Sequence, residues 1–137
     1  MIRMLIAALI SVLALSAHAD EFTCKVESTT DGDTFRCDDN TRVRIHGIDA
    51  PELATPEGPA SRNALQALIE ARTLACEQNG TSYNRVVATC FLDGQDIAAL
   101  MVQQVMARDC PRYSGGAYAE LETDENRLLP IGGFCRP

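Results

Sequence analysis

The chain has 137 residues, with 12 basic and 19 acidic side chains, a net charge of −7 and only 5% aromatic residues. Its length fits one domain with one core, and its acidity weakens any non-specific attraction to polyanions. Two histidines and six cysteines without a C-x-x-C pair argue against a zinc ribbon, a thioredoxin-like site and chemistry that pairs histidines.

Residues 1–19 have the pattern of a signal peptide. Arg3 gives a positive start, Met4 to Leu15 form an apolar run broken only by Ser11, and Ala17-His18-Ala19 supplies the small residues a signal peptidase reads. The run is shorter than the about 20 residues a membrane span needs. No other stretch is apolar enough to cross, so the expected product is a monomeric exported domain, residues 20–137, periplasmic or secreted and free of the membrane. Loss of Arg3 takes the net charge from −7 to −8, and loss of His18 leaves His46 as the sole histidine.

Phe22 to Thr29 alternates loosely and carries β-branched residues, which predicts a first strand. Asp31-Gly32 signals a hairpin, and Thr34 to Cys37 returns from it. After Asp38-Asp39-Asn40, Thr41 to Ile48 predicts a third strand, with Val43 and Ile45 on one face and Arg42, Arg44 and His46 on the other. Pro59 suits the start of a helix over Ala60 to Arg72, where Ala64, Leu65, Leu68 and Ile69 recur at helical spacing.

Thr73 to Glu77 and Arg85 to Leu92 read as the fourth and fifth strands, and Asp93-Gly94 turns into a helix near Ile97 to Met106. Its apolar face is Ile97, Leu100, Met101 and Val105. The remainder is rich in glycine and proline, with one helix expected around Ala117 to Leu128. The order β-β-β-α-β-β predicts a mainly β protein, a five-stranded OB-type Greek-key barrel with two to three appended helices.

The cysteines of an exported chain read as a disulfide framework, and six allow 15 pairings. Cys24 and Cys37 flank the first hairpin, and Cys76 and Cys90 flank Asn79 to Asn84. Each pair can cross-link one hairpin, leaving Cys110 to tie down Cys135 and the tail.

The chemistry concentrates between residues 31 and 52. Asp33, Asp49 and Glu52 lie within twenty residues of one another, with Arg44 among them. Hard cations take oxygen ligands, and a phosphodiester in transition wants positive charge around it, so this segment points to metal-assisted phosphoryl chemistry. An EF-hand fails, because Phe35 stands where a third oxygen ligand is needed. Strict alternation puts Arg44 and Asp49 on opposite faces, so the strand must end or bulge between them, and Gly47 is the expected place.

D-G-D-T at 31–34, R-V-R-I-H-G-I-D-A-P-E at 42–52, S-Y-N-R-V-V-A at 82–88 and the D-G then A-L-M-V run at 93–102 occur together in this order. With this spacing, residues 22–107 resemble the thermonuclease, or staphylococcal-nuclease-like, family. The resemblance implies a Ca2+-dependent nuclease acting on single-stranded DNA and RNA and leaving a 3′-phosphate and a 5′-hydroxyl. It implies Asp33 and Asp49 as calcium-binding carboxylates, with the Ala50 backbone carbonyl as a further ligand. Glu52 would activate water, Arg44 and Arg85 would clamp the phosphate, and Tyr83 would contact substrate; Tyr113, in the tail beyond the resemblance, is a further candidate contact.

The chain departs from the family's pattern in its acidity, in Ser82 where a basic residue often lies, and in Val105 where glycine usually follows the second helix. That helix is therefore expected to end differently. His46 beside two arginines is read as a strand-face residue rather than a base. The runner-up function is a degenerate OB module that binds nucleic acid or another ligand without cutting, although its few aromatics argue against a strong single-strand binder. A third reading is a disulfide-rich inhibitor or structural protein.

The mature chain is expected to begin at Asp20. Intact-mass measurement of exported protein checks this, and a mass that retains residues 1–19 would overturn it.

Overall fold

β1 (Glu21–Asp31) buries Cys24, Val26 and Thr29, and the change of phase after Val26 coincides with a register shift against β2 (Thr34–Cys37). This computed structural model describes residues 20–136, so the expected signal peptide lies outside the described residues. β3 (Arg42–Ile45) continues the meander, antiparallel to β2, and pairs in parallel with β6 (Arg85–Leu92). β6 is antiparallel to β5 (Thr73–Ser82), which returns to β1. The circuit β1-β2-β3-β6-β5-β1 is the expected five-stranded OB-type barrel. Phe35, Val43, Ile45, Leu74 and Ala88 fill it, all fully buried.

Several boundaries differ from expectation. β5 runs on to Ser82 through Asn79-Gly80, because a register shift between Gln78 and Gly80 absorbs one residue and moves the hairpin turn to Tyr83-Asn84. The expected third strand splits: β3 ends at Ile45, Gly47 takes φ +80°, and β4 (Ile48–Asp49) leaves in a new direction. Gly47 is thus the break the alternation demanded, and His46 lies in the turn rather than on the strand face beside Arg42 and Arg44. β4 pairs with β8 (Arg108–Asp109), a short ribbon outside the barrel.

α1 (Gly58–Ile69) packs Leu65 and Ile69 into the core beside β1 and stops short of Arg72, since Ala71 adopts φ 56°. β7 (Gln95–Asp96) leads into α2 (Ile97–Gln103), where the Asp96 carboxylate accepts the Ala98 N–H at 2.9 Å. α2 ends much as a glycine-capped helix does, contrary to expectation. Val105 N–H donates to the Val102 carbonyl and Met106 N–H to the Met101 carbonyl, both at 3.0 Å. That is a Schellman closure, and Val105 adopts φ 59° to make it.

The helix expected around Ala117 to Leu128 is broken at Glu122 and Thr123, both extended, into a 3-10 turn at Ala119–Leu121 and α4 (Asp124–Leu128). α3 (Pro111–Ser114) precedes it and ends at Gly115, which takes positive φ, and a 3-10 turn at Gly133–Cys135 follows. Asn126 in α4 is fully buried and fully used. Its amide donates to the Val102 and Ala107 carbonyls at 2.8 and 3.0 Å, and its oxygen accepts from the Thr123 N–H and hydroxyl.

The three disulfides are Cys24–Cys37, Cys76–Cys90 and Cys110–Cys135, as expected. They close loops of 13, 14 and 25 residues, each able to contribute about 3 kcal/mol by restricting the unfolded chain. Among the described residues no helix is long and apolar enough to cross a membrane.

Asn126→Ala strands the buried Ala107 carbonyl and takes one donor from the Val102 carbonyl, which keeps the Val105 N–H, and is expected to lower unfolding free energy by about 2 kcal/mol. Val105→Gly relieves a β-branched residue of left-handed strain and is expected to raise it by about 1 kcal/mol. Urea unfolding of oxidised protein reads both as opposite shifts in midpoint at unchanged slope.

Candidate functional site

The turn between β1 and β2 is built around a lack of space. Asp31 pairs with Thr34, and the Asp31 carboxylate accepts the Asp33 N–H at 3.1 Å. A Cβ on Gly32 would lie 1.8 Å from the Ser61 hydroxyl of α1 and 2.7 Å from the Ala50 side chain. Glycine here lets the turn, the start of α1 and the Asp49-Ala50 segment converge. The convergence sets Asp33 beside Asp49.

Both carboxylates are buried, with 6% and 4% of their residue surface exposed. Asp33 accepts the Ala50 N–H at 2.9 Å and the Thr34 hydroxyl at 3.1 Å, while Asp49 accepts the Gly132 N–H at 2.7 Å. Between them Arg44 reaches Asp33 at 3.3 Å and Asp49 at 3.5 Å. Its other terminal nitrogen donates to the Ile45 and Ile48 carbonyls at 2.6 and 2.9 Å. The carboxylate contacts exceed the about 2.7–2.9 Å of a tight charge-assisted bond. Arg44 is locked in place and shared loosely.

One guanidinium is not enough for two buried carboxylates. Burial pushes the Asp33 carboxyl well above the ordinary range, opposed by Arg44 and reinforced by the neighbouring Asp31 charge. Burial also raises Asp49, against the Gly132 N–H and Arg44. This pocket of unbalanced negative charge has only oxygen donors, and the Ala50 carbonyl accepts no hydrogen bond among the described residues. Those features fit a hard cation such as calcium. No group of three or more histidine, cysteine, aspartate or glutamate side chains converges among the described residues, so water would complete the shell.

Arg85 differs from Arg44. Parallel pairing of β3 with β6 brings the start of β6 alongside β3. Arg85 donates to the Thr34 hydroxyl, the Ser82 carbonyl and the Ser82 hydroxyl, each at 3.4 Å. It makes no salt bridge among the described residues. Thr34 thereby links the loosely held cation to Asp33.

Both arginines line a cleft of about 530 Å³ that also includes His46, Tyr83, Tyr113 and Phe134, and among the described residues no aspartate or glutamate lines it. Tyr83 is 95% exposed and holds φ 55° in the hairpin turn. An aromatic ring in water on a left-handed backbone is unfavourable on both counts, a pattern typical of a contact surface. Burial lowers the His46 pKa, which favours the neutral ring.

Of the residues expected at the site, Asp33, Asp49 and Arg44 are in mutual contact, Arg85 joins through Thr34, and Tyr83 and Tyr113 line the cleft with the arginines. Glu52 does not join them. It is exposed, and its carboxylate forms no hydrogen bond or salt bridge among the described residues, although its backbone is fixed by Thr55 and by Gly58, where a Cβ would lie 2.1 Å from the Glu52 carbonyl. Thr34, Ser82, Gly132 and Phe134 were not foreseen as site residues. The Thr34 role was detectable as a hydroxyl beside a buried aspartate. Gly132 had no local signal except Cys135 three residues later.

Residues 42–127 match the family described as staphylococcal nuclease homologue. The chain belongs to that family. An uncharacterized endonuclease of Haemophilus influenzae (strain ATCC 51907 / DSM 11121 / KW20 / Rd) is 32% identical over 111 residues, 77% of this chain and 62% of that protein. A probable staphylococcal-like nuclease of Oryza sativa subsp. japonica is 41% identical over 61 residues, 44% of this chain and 16% of that protein. The chain thus spans less than two thirds of the length of either relative. The family match begins at Arg42 and ends at Arg127, so the Asp33 turn and the Gly132 tail both lie outside it.

Removing each arginine separates their roles. Arg44→Ala leaves two buried carboxylates without a partner and is expected to cost about 3 kcal/mol of stability. Arg85→Ala breaks no ion pair and is expected to cost under about 1 kcal/mol. Equal losses in urea unfolding without divalent cation would contradict this division.

Proposed function

We propose that this member of the staphylococcal nuclease family is a calcium-dependent nuclease that hydrolyses phosphodiester bonds in single-stranded DNA and RNA. The observation that carries the reading is the cleft itself. In an acidic chain, it gathers two arginines and exposed aromatic rings with no carboxylate in its lining, next to two buried, under-compensated aspartates. Family membership and the nuclease descriptions of both relatives support it.

Asp33, Asp49 and the Ala50 carbonyl would hold the cation. When bound, calcium would neutralise charge on a phosphate oxygen. Arg85, free of any ion pair among the described residues, is placed to grip the phosphate with a planar fork that lysine lacks. Arg44 holds the two aspartates and presents the same cleft with a second positive charge. Glu52 follows Ala50 by two residues with an unpaired carboxylate, available to orient water and accept its proton. Tyr83 and Tyr113 offer faces to the bases. Export agrees with three disulfides, which persist in oxidising compartments.

Calcium is expected to support cleavage of single-stranded DNA and RNA, leaving a 3′-phosphate, and chelation to stop it. Arg85→Ala should lower turnover by roughly 3–4 kcal/mol equivalent, as for removal of one preorganised charged donor. Glu52→Gln should keep the fold and calcium binding but lose activity. Asp33→Asn removes a buried charge, so it should keep or raise stability in chelator. It should also lose the calcium increment, about 2.7 kcal/mol at a hundredfold excess over Kd in unsubstituted protein. No calcium-stimulated cleavage by pure, oxidised protein would leave the non-cleaving binding module as the reading, and full activity in Glu52→Gln would remove Glu52 from the mechanism.

A further inference from the structure

We infer that the disulfide-tethered tail supplies a wall of the cleft, with Phe134 stacking on a base of the single strand. This inference rests on the nuclease reading and extends it to residues beyond the family match, which ends at Arg127.

Single exposed apolar residues are ordinary and need no explanation. Phe134 is not in that category, for two independent reasons. The first is confinement. The Cys110–Cys135 disulfide fixes the next residue, Gly132 donates its N–H to Asp49 at 2.7 Å, and Cys135 N–H closes on the Gly132 carbonyl at 3.1 Å. The Phe134 ring folds back over Gly132, where a Cβ would come within 2.3–2.9 Å of three ring carbons. Glycine thus lets the ring approach the backbone closely, at a residue whose N–H is held by Asp49. Yet the residue stays 48% exposed. The fold immobilises this ring without burying it.

The second reason is company. Among the described residues, the exposed aromatics are Tyr83, Tyr113 and Phe134, and all three line the one cleft that also holds Arg44 and Arg85. Fixed rings beside cations are what an unpaired strand needs, since bases stack on the rings while phosphates meet the arginines. A duplex keeps its base faces covered, so this wall favours single strands. Because every base has a π-face, Phe134 contributes affinity and strand preference rather than sequence preference. The Cys110–Cys135 bond is then a positioning element, acting through Phe134 and through the Gly132 contact to Asp49.

The chain contains no tryptophan, so Phe134→Trp places a single reporter at the wall. In chelator, where cleavage is stopped, titration with a short labelled single-stranded oligodeoxynucleotide should quench its emission. Phe134→Ala should weaken anisotropy-measured binding about tenfold or more, with Phe134→Trp retaining it and duplex binding changing less than twofold. With calcium, Phe134→Ala should raise KM while leaving kcat within about threefold, the pattern of lost uniform binding. The paired change Cys110→Ser with Cys135→Ser, keeping the other two disulfides, should raise KM similarly and lower kcat as well, because it also frees Asp49. Unquenched emission at saturation, with Phe134→Ala affinity within twofold of the parent, would overturn the inference while leaving the nuclease reading intact. Failure of the unsubstituted protein both to bind and to cleave single strands would overturn both.

Discussion

Two buried carboxylates share one guanidinium, and much of this molecule is arranged to make that tolerable. Asp33 and Asp49 come from segments that no local periodicity would bring together. Arg44 is held between them by the Ile45 and Ile48 carbonyls. Those two carbonyls exist in that orientation because β3 ends at Ile45 and Gly47 turns the chain into β4. Asp49 gains a further donor only because the tail is stapled back by Cys110–Cys135. The negative charge left over is what a cation site requires, and it opposes stability whenever no cation is present.

Barrel closure performs the second task. The β3–β6 pair is parallel in an otherwise antiparallel circuit. It joins residues 43 apart in the chain, Val43 with Val86, and brings the first residue of β6 next to Thr34. A one-residue slip of that pairing would reverse the faces of β6, taking Arg85 from Thr34 and pointing it away from the cleft. The Gln78–Gly80 register shift lies in the same neighbourhood and lets β5 extend far enough to carry Tyr83 at its tip. Register and function are thus set by the same hydrogen bonds.

The barrel and most of the site were legible because their signals are local. Alternation marked β1 to β3, Asp-Gly marked the first turn, and the conflict between Arg44 and Asp49 located the bend at Gly47. The hairpin logic also yielded two disulfides and left the third by elimination. What escaped depended on distant partners. Asn79-Gly80 carries a turn signal, but the ladder with β6 overrides it. Val105 has the wrong shape for its backbone, yet the closure of α2 forces it into φ 59°. Asn126 looks like a surface residue until the Val102 and Ala107 carbonyls are seen to need it. Gly132 and Phe134 had no periodic context at all, since their positions follow from one disulfide and one hydrogen bond.

Acidity and the proposed polyanionic substrate are compatible for reasons of range. Exposed charges act over about 8 Å at physiological ionic strength, so carboxylates spread over the far surface scarcely reach the cleft. Within it, Arg44 and Arg85 have no carboxylate among the lining residues to compete with a phosphate. The aspartates next to them are the exception, and a bound cation would reverse their effect by converting local negative charge into positive. Metal dependence and the acidic composition are then linked. In a basic protein the whole surface would gather nucleic acid, whereas in this one filling the aspartate pair would add to an attraction that otherwise rests on two arginines and the aromatic rings. In the proposed nuclease, occupancy of that pair then aids capture of substrate as well as its cleavage, and the aromatic wall gains importance because bulk charge supplies so little of the affinity.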